Sequence, residues 1–245
     1  MKDKNFAEFS TSRPAIQRAS DESMTNSSRR LIPESFQRGF MRMLAPLVRV
    51  LTKWGVNPNS LTLAGIIITF FATAAFFMKS PRLGGFLVLL GGLCDAIDGS
   101  LARNAGKATR FGALLDSSVD RYAEFVMLFG IGGYFLMIAD YVNSAVTFLA
   151  LCGSFMVSYT RARAESLGLA AKVGVMQRPE RIVFLGLGAL IHPIALTIAV
   201  WMVAIFANFT ALQRLRFAFK QDSSSPTPNH EKPELKSVQL TKGSM

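Results

Sequence analysis

Two cysteines in 245 residues are too few for a fold built on disulfides. Charged residues are scarce as well, at 18%, against 50% hydrophobic residues and 20 phenylalanines, a balance that excludes a chain disordered throughout. Acidic residues are the scarcer sign, 16 against 27 Lys and Arg, for a formal net charge of +11. Such an excess first suggests a nucleic-acid partner. The positive charge forms no stripe on a soluble fold, however. It flanks long apolar runs, so the expected partner is a membrane and not a nucleic acid. Length alone allows one domain, or at most two.

Residues 1–33 are rich in Ser, Arg, Asn and Asp without an apolar period. They read as a disordered cytosolic N-terminus, and with no secretory apolar stretch no cleaved signal peptide is expected. A helical pattern follows from Ser35 to Trp54. Phe36, Phe40, Leu44, Leu47, Leu51 and Trp54 fall on one face, and Arg38, Arg42, Arg49 and Lys53 on another. Residues 34–57 are therefore expected to form an amphipathic juxtamembrane helix in the headgroup plane, ended by Gly55-Val56-Asn57-Pro58.

The apolar runs come next. Ser60 to Met78 is uncharged and long enough to span, since about 20 residues cross the hydrocarbon core. Leu83–Leu101, Gly112–Ile138 and Val142–Tyr159 are three further candidates. The 32 residues between Arg181 and Arg214 contain no Lys, Arg, Asp or Glu, and His192-Pro193 near their middle favours a tight hairpin of two helices. The expected class is thus an all-α integral membrane protein of six transmembrane helices, residues 58–216, preceded by the interfacial helix. With the N-terminus inside, 24 of the 27 Lys and Arg fall in cytosolic segments; Lys79 and Arg82 lie in external turns and Arg121 within the third span. That asymmetry predicts a multi-pass protein of the cell (inner) membrane with both termini cytoplasmic. Residues 217–245 read as a disordered cytosolic tail. Cys94 and Cys152 both fall within spans and read as apolar thiols.

The informative stretch runs from Asp95 to Asp120. Asp95 and Asp98 share a helix face at i, i+3, as do Asp116 and Asp120 at i, i+4. A short loop joins the two helices, so the pairs are expected to face each other as antiparallel neighbours. Each intramembrane carboxylate costs about 2.5 to 3.5 kcal/mol at a helix centre, and four together repel. Both problems are relieved by divalent cations between them, with hard oxygen donors suiting magnesium or manganese. Gly99 and Gly112 permit close backbone approach by a bulky ligand, and Arg103 adds a cation that suits a phosphate.

The pattern Asp95-x2-Asp98-Gly99-x2-Ala102-Arg103-x8-Gly112-x3-Asp116-x3-Asp120 resembles the signature of the CDP-alcohol phosphotransferases. The resemblance implies a six-helix membrane enzyme, a homodimer, that displaces CMP from a CDP-linked lipid with an acceptor hydroxyl and Mg2+ or Mn2+. It implies metal ligation by Asp95, Asp98 and Asp116, with Asp120 sharing the metal site and serving as general base. It places Gly99, Arg103 and Thr109 on the cytidine diphosphate portion, met from the other side by Asn59, Ser60, Leu61 and Thr62.

The stretches Ser158–Glu165, Gln177–Arg181 and Gln213-Arg214-Leu215 are similar to the phosphatidylinositol phosphate synthases within that family. Those enzymes often carry lysine where Arg161 stands, which exchanges a point charge for a planar fork. Arg161, Arg163, Arg181 and Arg214 all fall at expected cytosolic helix ends near the acids, a receptor for an acceptor that carries its own phosphate. The leading expectation is transfer of a phosphatidyl group from CDP-diacylglycerol to inositol 1-phosphate. Glycerol 3-phosphate remains an alternative acceptor, and a cation transporter using the acidic hairpin an alternative class.

Overall fold

The structure, a computed structural model, describes residues 34–104, 109–169, 171 and 173–224. The expected disorder of residues 1–33 lies outside the described residues, as does that of residues 225–245. The described residues form seven helices and no strand: α1 (Glu34–Lys53), α2 (Pro58–Phe77), α3 (Pro81–Asn104), α4 (Arg110–Met137), α5 (Tyr141–Ser166), α6 (Arg178–Ile191) and α7 (Pro193–Ser224).

Turn chemistry divides them. Pro58 opens α2 and Pro81 opens α3, where a missing N–H costs nothing. Asp140 caps α5, its carboxylate accepting from the Asn143 N–H at 3.1 Å. His192 alone separates α6 from α7, so the expected hairpin has no loop. Helices α2, α3, α5 and α7 are long and apolar enough to cross a membrane. Helix α4 carries Asp116, Asp120, Arg121 and Glu124 within its first 15 of 28 residues. Helix α6, with 14 residues, is about 21 Å long, short of the roughly 30 Å hydrocarbon core.

Helix α2 packs against both α3 and α4, α3 against α6, α4 against α5, and α7 against α5 and α6. One core runs through these contacts, with Phe76, Leu128, Ile131, Phe135, Leu185 and Leu196 among its buried side chains. The α3–α6 contact is close because glycines meet there: a Cβ on Gly85 would stand 2.5 Å from the Gly186 carbonyl oxygen.

Two expectations change. Helix α7 continues to Ser224, so the chain beyond Arg216 begins as helix. No Gly or Pro interrupts it before Pro226, and 32 residues rise about 48 Å, more than the hydrocarbon core needs. Helix α1 has three faces instead of two. Leu44 and Val48 are buried, with Leu51 beside them, against Ile97 and Leu101 of α3. Each such burial is worth about 1.5 to 3 kcal/mol, enough to dock the helix. Phe40, Met43, Leu47, Val50 and Trp54 form a separate apolar stripe that stays exposed, opposite no described element. Leu47 and Trp54 therefore do not share the docked face with Leu44.

Candidate active site

The acidic residues lie on the last turns of α3 and the first turns of α4. These helices hardly touch each other, contrary to the packed pair the short loop suggests, because α2 lies against both and holds them apart. The gap is a cleft open to the outside, with about 450 Å³ of empty space when its open mouth is included. Its polar end carries Asp95, Asp98, Asp120 and Arg178; Thr69, Val88, Met127 and Ile182 line its inner part.

Asp95, Asp98 and Asp116 each present a carboxylate oxygen within 4.8 Å of the others. Asp98 is buried, with 3% of its surface exposed. Three hard anionic oxygens at this spacing fit a divalent cation of the magnesium or manganese kind, and without one they repel. Asp120 is not one of the three whose oxygens all lie that close, but its carboxyl is within hydrogen-bond reach of Asp95. Asp120 Oδ1 lies 2.7 Å from Arg178 Nη1 in an ion pair. Cys94 is half-buried and does not belong to the trio; Cys152 is exposed on α5.

The residues expected to meet the nucleotide divide into two groups. Thr109 caps α4, its Oγ1 accepting from the Gly112 N–H at 2.9 Å, and the Asn59 side chain lies beside the same glycine. Gly99 is half-buried and faces only the exposed Arg103 guanidinium. Asn59, Ser60, Arg103 and Thr109 are exposed at this end of the bundle. Leu61 and Thr62 face inward instead. Leu61 packs against the small core between α1 and α3.

Thr62 is buried, and its hydroxyl donates to Asp98 Oδ2 at 2.6 Å. It thus orients a carboxylate of the trio, as groups behind metal ligands commonly do. Thr62→Val is expected to lower Mn2+ affinity about tenfold with the fold intact, read by titration of the purified protein. Unchanged affinity would reduce the contact to packing.

The four arginines do not form one open cluster. Arg161 is exposed on α5 and its Nε donates to Glu165 at 2.9 Å; Arg163 is exposed one turn from the helix end. Arg181 is wholly buried, where exposure at a helix end was expected: Nε and Nη2 donate to Glu124 Oε1 and Oε2 at 2.6 and 3.0 Å. Arg214 is also buried, donating from Nε to the Val173 carbonyl at 2.8 Å and from Nη1 to that of Val157 at 2.6 Å. A buried guanidinium must be hydrogen-bonded or paired, which explains why both turn inward to these acceptors. Arg161 and Arg181 nevertheless lie within electrostatic reach of Arg214.

Sequence reasoning assigned no site role to Arg178, Glu124 or the Thr62–Asp98 contact. Arg178 donates from Nη1 to both oxygens of Asp95, at 3.1 and 3.0 Å. A signal was present: Arg178 is the first residue of α6, where a positive charge opposes the helix dipole and calls for an acidic partner. Glu180, two residues on, instead suits that end, its Oε2 accepting from the Gln177 N–H at 2.5 Å.

A family model described as CDP-alcohol phosphatidyltransferase matches residues 55–226. Among curated relatives, the archaetidylinositol phosphate synthase of Pyrococcus horikoshii is 39% identical over 180 residues, covering 72% of this chain and 92% of that protein. The phosphatidylinositol phosphate synthase of Streptomyces avermitilis is 35% identical over 192 residues, covering 72% and 78%. The crystal structure of Mycobacterium tuberculosis phosphatidylinositol phosphate synthase with CDP-DAG bound aligns with a TM-score of 0.66 at 30% identity, over 73% of this chain and 94% of that one. The same enzyme in complex with manganese and citrate aligns with a TM-score of 0.66 at 31% identity, over 71% and 88%.

Proposed function

The chain belongs to the CDP-alcohol phosphatidyltransferase family, and from that premise we propose that it transfers a phosphatidyl group from CDP-diacylglycerol to inositol 1-phosphate, releasing CMP. The observation that carries the reading is the carboxylate trio of Asp95, Asp98 and Asp116 beside a cleft that Asp95 and Asp98 line together with Asp120. The names of the relatives agree on an inositol phosphate product and differ in the lipid, which supports the acceptor assignment in particular.

In this reading Asp95, Asp98 and Asp116 hold the divalent cation, taken as magnesium. When bound, such a cation neutralises charge on the diphosphate and makes CMP a better leaving group. Asp120 takes the proton from the acceptor hydroxyl as its oxygen forms a bond to the lipid-bearing phosphorus and the bond from that phosphorus to CMP breaks. Asn59, Ser60, Gly99, Arg103 and Thr109 take the cytidine diphosphate portion at the exposed end of the cleft. Leu61 and Thr62 support that wall from behind.

Arg161 and Arg163 form the exposed wall of the acceptor phosphate site, and Arg181 and Arg214 its buried floor. All six helices from α2 to α7 lie within the membrane, α6 paired with α7 as one short hairpin and α1 in the headgroup plane on its exposed apolar stripe. The acidic end and both termini face the cytosol, as the basic segments favour. The working unit is a homodimer.

CMP release from CDP-diacylglycerol and Mg2+ tests the assignment, with inositol 1-phosphate, glycerol 3-phosphate and free inositol offered separately. Release with inositol 1-phosphate alone is the expected result; release only with glycerol 3-phosphate would overturn the acceptor. Arg163→Ala and Arg214→Ala are expected to raise the acceptor KM about tenfold or more, with CDP-lipid affinity little changed. Unchanged acceptor kinetics would reduce both to topology and packing roles.

A further inference from the structure

Two arginines of α6 bind the acidic residues of this site in different ways. Arg181 meets Glu124 as a fork, Nε and Nη2 each on its own oxygen, with side chains only 1% and 3% exposed. Arg178 reaches Asp95 and Asp120 through Nη1 alone, with its side chain 19% exposed. Its Nε is buried and has no hydrogen-bond partner. A planar guanidinium that spends one nitrogen on two carboxylates and leaves another donor buried and unused is not held in its best geometry. It sits where a cation is needed, beside acids that repel one another, but it is not locked there.

Asp95 is the shared member. It belongs to the trio with Asp98 and Asp116 and is also the carboxylate to which Arg178 donates. A divalent cation on the trio and the Arg178 charge thus compete for the Asp95 carboxylate, both of whose oxygens Arg178 now occupies.

We propose that Arg178 is a displaceable internal counter-ion, which holds Asp95 against Asp120 while the trio carries no cation and gives up Asp95 when a divalent cation binds. The inference rests on the trio's being a metal site. It makes Arg178 a positioning residue that sets metal affinity, acting against the cation and not for it. A residue that merely orients a ligand has the opposite sign, because removing such a support weakens metal binding.

The test is Mn2+ titration of the full-length protein in detergent micelles without nucleotide, free Mn2+ being read by its electron paramagnetic resonance signal. Arg178→Gln is expected to bind Mn2+ about tenfold more tightly than the unaltered protein. Equal or weaker binding by Arg178→Gln, with the unaltered protein binding normally, would overturn the counter-ion role and leave the metal site standing. No binding by either protein would overturn the metal site and the inference together. Adding Asp98→Asn to Arg178→Gln is expected to abolish the tight binding; its survival would place the cation elsewhere and overturn the proposal. If Arg178→Gln does not fold, Arg178→Lys carries the same test. Its compact ammonium bridges two carboxylates less well, so a tightening of about threefold is expected, and equal or weaker binding would overturn the proposal.

Discussion

Asp120→Asn is expected to lower CMP release at least about a thousandfold while Mn2+ and CDP-lipid affinities stay within a few-fold of their original values. The amide keeps the shape of the carboxylate and still offers Arg178 Nη1 an acceptor oxygen, so the contact at 2.7 Å survives in form. What it loses is the capacity to take a proton. Because Asp120 lies outside the trio that brings its oxygens within 4.8 Å, the cation's donor set remains complete. The expected split between turnover and binding would not arise if Asp120 only supported the fold. Asp98→Asn provides the contrast, since it removes a donor from the trio and must lower metal affinity as well. Full turnover in Asp120→Asn would sink the general-base assignment, and a glycerophosphate or inositol acceptor would make no difference to that outcome.

The acids were legible because local spacing determines them. Asp95 with Asp98, and Asp116 with Asp120, are placed by helix periodicity alone, and each pair lies on the helix where the sequence puts it. The helices themselves follow from apolar runs bounded by Pro58, Pro81, Asp140 and Pro193, all of which sit at helix starts in the structure. What the sequence could not display is which charges meet across the bundle. Arg178 and Asp95 are 83 residues apart, Arg181 and Glu124 are 57, and Thr62 and Asp98 are 36. No local rule links such positions. The charge count that marks arginines as cytosolic helix ends also treats them alike, although Arg161 is exposed and Arg181 is not. Helix α1 shows the same limit on a smaller scale. Its apolar arc is wide enough to serve two partners, and only the position of α3 decides that Leu44 and Val48 dock while Phe40 and Trp54 stay outside.

The buried pair of Glu124 and Arg181 carries the largest expected effect on stability. Glu124→Gln should destabilise the protein by about 3 to 5 kcal/mol, seen as a lower thermal midpoint in micelles, because it leaves the Arg181 charge buried without its counter-ion. Arg181→Met alone should cost a similar amount by stranding the glutamate. The double variant Glu124→Leu, Arg181→Met should recover most of the loss, since two apolar side chains leave neither a charge nor an amide buried without a partner. A single-variant cost below about 1 kcal/mol would mean that the pair is not a structural element. The double variant also separates the two roles open to Arg181. If its guanidinium forms the floor of the acceptor phosphate site, the restored protein will still show a raised KM for inositol 1-phosphate. If stability and acceptor KM both return to their original values, Arg181 is wall and not receptor, and the phosphate must be held by Arg161, Arg163 and Arg214.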